Sequence, residues 1–175
     1  MRQLQGKYWN NWANKKMEEK KLEQKINDIV ESGILKGIMS LEVAVKLIQA
    51  VEKKAEERGL AVVIAVSDAA GRPIAVHCMD GAFFGSFDVA LNKTYTSTAF
   101  QMPTAKLAKL CEPGGDFYGL QFSNDGKVMI LGGGEPLMVG NTMIGAIGVS
   151  GASAKEDSDL AAYGNTALKE VIACL

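Results

Sequence analysis

The spacing of apolar residues changes several times after residue 38, which is typical of short helices and strands in alternation. Apolar positions recur at helical spacing behind Ser40, a good N-cap residue, and again behind the capping box Ser153–Glu156. The predicted elements are a helix from Ser40 to Gly59, strands at 61–67 and 73–79, a helix from an N-cap at Ser86 to about Gln101, a short helix at 104–111, strands at 128–131, 136–139 and 142–150, and a final helix behind Ser153.

Two turn motifs indicate how the predicted strands are joined. Asp68–Gly71 separates the first two strands, and Gly140-Asn141 separates the last two. Both are typical of β-hairpins, whose strands are antiparallel. Helices precede, separate and follow these hairpins. The sequence therefore predicts an α+β fold, with an antiparallel sheet of about five strands and helices packed against it.

The first 37 residues have a different pattern and are predicted to form an N-terminal amphipathic helical extension. Residues 17–35 place apolar side chains on one helical face and charged side chains elsewhere, and the apolar positions are Leu22, Ile26, Ile29 and Val30. Gly33 and Gly37 then interrupt the pattern, so a separate domain is expected over residues 38–175. A short free helix is marginal in water, so its apolar face needs a partner surface on its own domain or on a second copy.

The composition excludes several classes of partner. A net charge of −1 gives no electrostatic basis for binding nucleic acid or anionic lipid. No apolar run approaches the ~20 residues that cross a bilayer, and the polar N-terminus does not resemble a secretory signal. The 3 cysteines have no CxxC spacing, which indicates reduced thiols. A cytoplasmic protein is expected.

Known catalytic motifs do not identify a reaction. His77 is the only histidine, there is no nucleophile elbow, and no His/Cys cluster has zinc-ligand spacing. The triple glycine Gly132–Gly134 matches neither a dinucleotide fingerprint nor a P-loop, although adjacent glycines permit close backbone approaches. By strand alternation His77 shares a face with Ala75 and Met79, opposite Val76 and Cys78.

Two long segments resemble one known family. The run VSDAAGRPIAVHCMDGAFFGSFDVALNKTYTSTAF and the later LGGGEPLMVGNTMIGAIGVSGASAKEDSDLA are similar to the conserved segments of the GlcG/HbpS family, which also occurs as the C-terminal domain of PduO proteins. The resemblance covers roughly residues 40–175. Many relatives carry a basic residue just before the Met-Asp-Gly, where this chain has Cys78.

The resemblance implies a ligand and a place for it. Relatives bind haem, so His77 is predicted as an axial metal ligand, and a related tetrapyrrole such as a corrinoid is an alternative. Asp80 and Gly81 form the most family-like corner, and the ligand pocket is predicted beside it. Asp80 closes the turn, pairs with Lys93 or orients a ligand. Lys93 and the triple glycine Gly132–Gly134 are predicted to hold a carboxylate such as a haem propionate. Five methionines either fill the core, line an apolar pocket or ligate iron through their thioethers: Met79, Met102, Met129, Met138 and Met143.

Three possible functions follow from these predictions. The first is a haem-binding or tetrapyrrole-binding accessory protein, which we rank above an assembly factor and an accessory enzyme of glycolate or diol metabolism. The segment KLEQKINDIVESGIL is similar to peptides that direct cargo into bacterial microcompartments, so residues 17–35 are either a contact to shell or cargo or a packing helix. Because relatives assemble, a homo-oligomer is expected.

Overall fold

The computed structural model describes residues 16–21, 23–24 and 39–174. Residues 16–21 and 23–24 are helical and exposed. The elements that follow are α1 (Leu41–Glu56), β1 (Val63–Asp68), β2 (Pro73–Cys78), α2 (Ser86–Phe100), α3 (Thr104–Leu110), two 3₁₀ turns (Leu120–Phe122 and Asn124–Gly126), β3 (Gly134–Val139), β4 (Thr142–Ser150) and α4 (Ala154–Ala173).

The strands form one antiparallel sheet in the order β2-β1-β4-β3. Both predicted hairpins are present, and β1 pairs with β4 to join them at the centre of the sheet. Helices α1 and α4 cover one face through the main apolar core, while α2 covers the other face. The edge strands β2 and β3 therefore lie at opposite sides of a three-layer domain. The predicted α+β fold class is confirmed.

The sheet has four strands where five were predicted, because residues 128–131 do not join it. This segment runs along α2, where the backbone N–H of Met129 donates to Thr96 Oγ1 at 2.8 Å and Thr96 Oγ1 donates to the carbonyl of Lys127 at 3.3 Å. A side-chain hydroxyl thus supplies the hydrogen bond that a neighbouring strand was expected to supply. Val128 still becomes buried, against Leu107 and Cys111.

Helix starts were predicted correctly where the cap is a local hydrogen bond. Ser40 accepts from the N–H of Val43 at 3.1 Å, and the Ser153–Glu156 capping box is complete. The predicted N-cap at Ser86 is wrong, since Gly85 occupies that position without a side-chain cap. Ser86 is instead the first buried residue of α2, and its N–H donates to the carbonyl of Phe83 at 2.9 Å.

Most of the predicted N-terminal extension lies outside the described residues, including its apolar positions Leu22, Ile26, Ile29 and Val30. The division of the chain at residue 37 therefore stays a prediction. In the described part of the chain, no helix is both long enough and apolar enough to span a bilayer.

Candidate functional site

His77 lies on the edge strand β2, on the sheet face that α1 covers. It pairs in register with Ile64, a fully buried core residue, and Ala75 and Met79 pack against the same core, as alternation predicted. The Nδ1 atom of His77 lies 2.8 Å from Oε1 of Glu52 on α1. The imidazole is 33% exposed, and within the described chain its Nε2 atom has no hydrogen-bond partner.

This arrangement suits a metal-bound histidine. A metal-ligating imidazole usually donates its other ring N–H to a carboxylate, a backbone carbonyl or water, and Glu52 provides a carboxylate. The described residues contain no group of three or more His, Cys, Asp or Glu side chains placed to hold a metal ion. A haem iron needs fewer protein ligands, because the macrocycle supplies four nitrogens and the protein supplies axial ligands. The donor set at His77 therefore fits haem.

The acidic corner after β2 is closed by the backbone. The N–H of Ala82 donates to the carbonyl of Met79 at 3.0 Å, and Gly81 between them has φ +85°, a conformation that glycine adopts at no steric cost. Asp80 is exposed, and within the described chain its carboxylate makes no hydrogen bond or ion pair. The predicted closure of this turn by the Asp80 carboxylate is therefore replaced by a backbone hydrogen bond.

Lys93 pairs with Asp157, and the predicted pairing with Asp80 is wrong. The ammonium of Lys93 is 1% exposed and donates to Asp157 Oδ2 at 2.8 Å and to the carbonyl of Val149 at 2.6 Å. The N–H of Ala152 donates to the second oxygen of Asp157 at 3.1 Å. Burial lowers the pKa of Lys93 and raises that of Asp157, and their mutual contact opposes both shifts. The pair connects α2 to β4 and α4.

The triple glycine lies against this ion pair. A Cβ on Gly133, whose φ is +116°, would lie 2.7 Å from Lys93 Nζ and 2.6 Å from the carbonyl oxygen of Val149. A Cβ on Gly134 would lie 2.7 Å from the hydroxyl of Ser97. Lys93 and Gly132–Gly134 therefore lie together in the fold, but the carboxylate beside them is that of Asp157.

Three phenylalanines project from the β2–α2 connection. Phe83 is 73% exposed, Phe84 99% and Phe87 41%. The connection is held by backbone hydrogen bonds from Ser86 to Phe83 and from Phe87 to Phe84, so these rings are presented by an ordered turn. Phe83 and Phe84 are not among the residues predicted for the site. Three phenylalanines within five positions, with Gly85 among them, are the sequence signal for this surface.

A cleft of about 460 Å³ opens at the other edge of the sheet, beside the β3–β4 turn. Its lining residues are Glu23, Met138, Val139, Gly140, Asn165, Thr166, Leu168, Lys169 and Ile172. The predicted pocket was beside Asp80, at the β2 edge, and this cleft is not there. Met138 is one of the methionines that were considered as pocket-lining residues.

Glu135 is a titrating group that the predicted site does not include. It lies in β3 opposite Ile147, a fully buried residue, and within the described chain no cation or hydrogen-bond donor contacts its carboxylate. Burial raises its pKa to about 7. A lone acidic residue in a short strand, between Gly134 and Pro136, is the signal that could have indicated it.

Comparison with known proteins identifies relatives over most of the chain. A family model described as haem degrading protein HbpS-like matches residues 39–165. A 15.0 kDa protein from the dhaT-dhaS intergenic region of Citrobacter freundii is 40% identical over 123 residues, which are 70% of this chain and 87% of that protein. The corrinoid adenosyltransferase PduO of the same organism is 34% identical over 116 residues, which span 66% of this chain but only 35% of PduO.

A solved structure is also similar to this chain. The crystal structure of a PduOC:heme complex superposes with a TM-score of 0.71 and 31% sequence identity, and the match covers 74% of this chain and 94% of that one. The family match extends from the start of α1 into α4, so it includes His77, the Asp80 corner, Lys93 and the triple glycine. The chain belongs to the HbpS-like family.

Proposed function

We propose that this protein binds haem through His77 and acts as a haem-carrying accessory protein. The observation that carries the proposal is the 31% identical PduOC relative, which forms a complex with heme and covers 74% of this chain. The local chemistry supports it. His77 combines a carboxylate partner at Nδ1 with an Nε2 atom that has no partner in the described chain. Bound haem supplies an iron centre that accepts an axial imidazole.

The proposed site lies at the β2 edge of the sheet and includes the corner at Asp80 and Gly81. An exposed carboxylate at Asp80 is able to accept hydrogen bonds from a ligand. Propionate binding by Lys93 and Gly132–Gly134 stays a prediction, and the geometry supports a structural role for these residues, because the Lys93 ammonium is buried against Asp157. Folded Lys93 variants with unchanged haem affinity would remove Lys93 from the site.

Haem titration tests the proposal directly. Hemin is added to the purified protein and to His77→Ala, and the Soret band is followed. We expect a saturable shift in the wild type, and a loss of affinity with a changed band position in His77→Ala. Met138→Ala is the matched control, because Met138 lines the cleft at the opposite edge of the sheet. An unchanged spectrum would contradict haem binding, and a shift lost only in Met138→Ala would move the site to the cleft.

A corrinoid is the second ligand to test. The proposal rests on the name of the PduO relative, whose matched part is 35% of that protein. Hydroxocobalamin is titrated in parallel with hemin, since both offer an axial position that imidazole can fill. Binding of hydroxocobalamin but not hemin would favour a corrinoid carrier. Turnover of glycolate or of a diol by the purified protein would instead favour the alternative of an accessory enzyme in glycolate or diol metabolism.

Self-association is proposed through the aromatic surface formed by Phe83, Phe84 and Phe87. The exposed fractions of these rings amount to about two whole side chains, or roughly 400 Å² at ~200 Å² each. Two copies in contact would bury about twice that area from these rings alone, close to the ~1,000 Å² expected of a specific interface. A second copy is therefore a fitting partner for this surface.

The mass in solution tests this surface. We expect an oligomer for the wild type and a smaller species for Phe84→Ser by light scattering after gel filtration. Phe122→Ser is the matched control, because Phe122 is 83% exposed but lies in a 3₁₀ turn outside the aromatic surface. A wild-type monomer, or an oligomer that Phe84→Ser does not change, would contradict the proposal.

We also propose that residues 17–35 contact a microcompartment shell or cargo, because the sequence resembles targeting peptides. The test is a fusion of residues 1–37 to a fluorescent reporter in cells that assemble diol-degrading compartments. Encapsulation of the reporter would support targeting, and a diffuse signal would favour the alternative of a packing helix.

A further inference from the structure

The contact between His77 and Glu52 restricts which ring nitrogen of His77 carries a proton. Glu52 Oε1 lies 2.8 Å from His77 Nδ1, and an ionised carboxylate can only accept a hydrogen bond. A neutral imidazole in this contact must therefore carry its proton on Nδ1. Its lone pair is then on Nε2, which has no partner in the described chain.

We propose that Glu52 is a positioning residue that holds His77 as the Nδ1–H tautomer, so that Nε2 can bind a metal ion. This rests on the proposed haem-binding function, which gives Nε2 an iron to bind. In metal sites the hydrogen bond to the second ring nitrogen fixes the ring orientation and increases the basicity of the ligating nitrogen. Glu52, which lies on a different element of the fold, accepts that hydrogen bond.

The position of Glu52 on α1 makes this contact specific. Its neighbour Val51 is fully buried in the core, so the backbone of α1 cannot move freely relative to β2. The ion pairs of the described residues give Glu52 no lysine or arginine partner, and His77 is its contact. Its carboxylate is half-buried, which strengthens a hydrogen bond relative to one in bulk water.

The tautomer can be measured in the haem-free protein, because the chain has 1 histidine. Nitrogen-15 NMR of protein without a histidine tag gives one pair of imidazole signals. We expect the wild type and Glu52→Gln, which keeps an acceptor oxygen, to show the Nδ1–H form. Glu52→Ala should shift toward the Nε2–H form. Glu56→Ala is the matched control, since Glu56 is an exposed glutamate one turn further along α1.

Hemin binding then measures the effect on the metal. We expect Glu52→Ala to weaken hemin binding about tenfold or more, with Glu52→Gln recovering most of the affinity and Glu56→Ala unchanged. The iron–imidazole stretching frequency of the ferrous complex should fall in Glu52→Ala. In a His77→Ala background, Glu52→Ala should have no further effect, because Glu52 acts through the imidazole.

The results separate this inference from the proposed function. An Nε2–H tautomer in the wild type would overturn the role of Glu52, whether or not hemin binds. Equal loss of affinity from Glu52→Ala in the presence and absence of His77 would overturn it as well. No hemin binding by the wild type would refute the proposed function and, with it, the metal-binding part of this inference, while the NMR result alone would still decide the tautomer.

Discussion

Glu135 should make the folded protein less stable as the pH rises from acidic to mildly alkaline values. Burial in β3 raises its pKa from 4.5 to about 7, and no cation offsets the burial in the described chain. A raised folded-state pKa means that the folded protein binds the proton more tightly than the unfolded chain does. The stabilisation is therefore present at low pH and is lost as the pH rises through about 7.

The size of the effect follows from the shift. One pKa unit corresponds to about 1.4 kcal/mol, so a fully ionised Glu135 costs at most roughly 3 kcal/mol of unfolding free energy. Glu135→Gln keeps the shape of the side chain and removes its titration. Between pH 5 and pH 8.5 we expect the wild type to lose about 2 to 3 kcal/mol more than Glu135→Gln. The two proteins should be close in stability at pH 5.

Urea denaturation at several pH values measures this difference. The other titrating groups are common to both proteins, so their contributions largely cancel in the comparison. Glu170→Gln removes an exposed carboxylate on α4 and serves as the control, which should follow the wild-type profile. Parallel profiles for the wild type and Glu135→Gln would show that the Glu135 carboxylate is well solvated or paired, and would refute the reasoning.

Three further variants test the junction between α2, β4 and α4. Lys93→Met should destabilise the fold by about 3 to 5 kcal/mol in urea denaturation because it leaves Asp157 buried without its partner, and adding Asp157→Asn should recover part of the loss. Gly133→Ala should lower the free energy of unfolding by about 3 kcal/mol or more, because the new Cβ would collide with the ion pair and the backbone has positive φ. Gly126→Ala, at φ +73° with no atom near the new Cβ, should show the cost of the backbone conformation alone. Ser153→Ala should lower the free energy of unfolding by about 1 kcal/mol through loss of the capping box and leave hemin affinity unchanged.

Local hydrogen bonds made most of the fold predictable from the sequence. The caps at Ser40 and Ser153 and the turn at Asp68–Gly71 depend on residues within a few positions of each other. Residues 128–131 could not be predicted in this way. A short apolar run has the same sequence pattern in a strand and in a segment that packs on a helix. The hydrogen-bond partner of this segment, Thr96, is about thirty residues away in the sequence.

The structural role of Lys93 could not be predicted from the sequence for a related reason. An isolated lysine in a helix is usually exposed, and α2 has no clear apolar stripe to mark its buried face. That face is polar, with Thr94, Thr96, Ser97 and Thr98 buried beside Lys93. Only the fold reveals Asp157, which lies 64 positions further along the chain, as its partner. The triple glycine indicated a close approach, but not what approaches it.

The contrast between Lys93 and His77 indicates where ligand chemistry should be sought. At the glycine-rich junction, Lys93 and Asp157 form an ion pair with each other and are buried. An incoming carboxylate would therefore have to displace Asp157 from Lys93. At the β2 edge, Glu52 occupies one nitrogen of His77 and leaves the other without a partner in the described chain, on a ring that solvent reaches. An incoming metal displaces no protein partner of Nε2, so the free-energy cost of binding is lower there. The family-like motifs therefore divide into a junction that holds the helices together and an edge at which His77 keeps a ring nitrogen without a partner in the described chain.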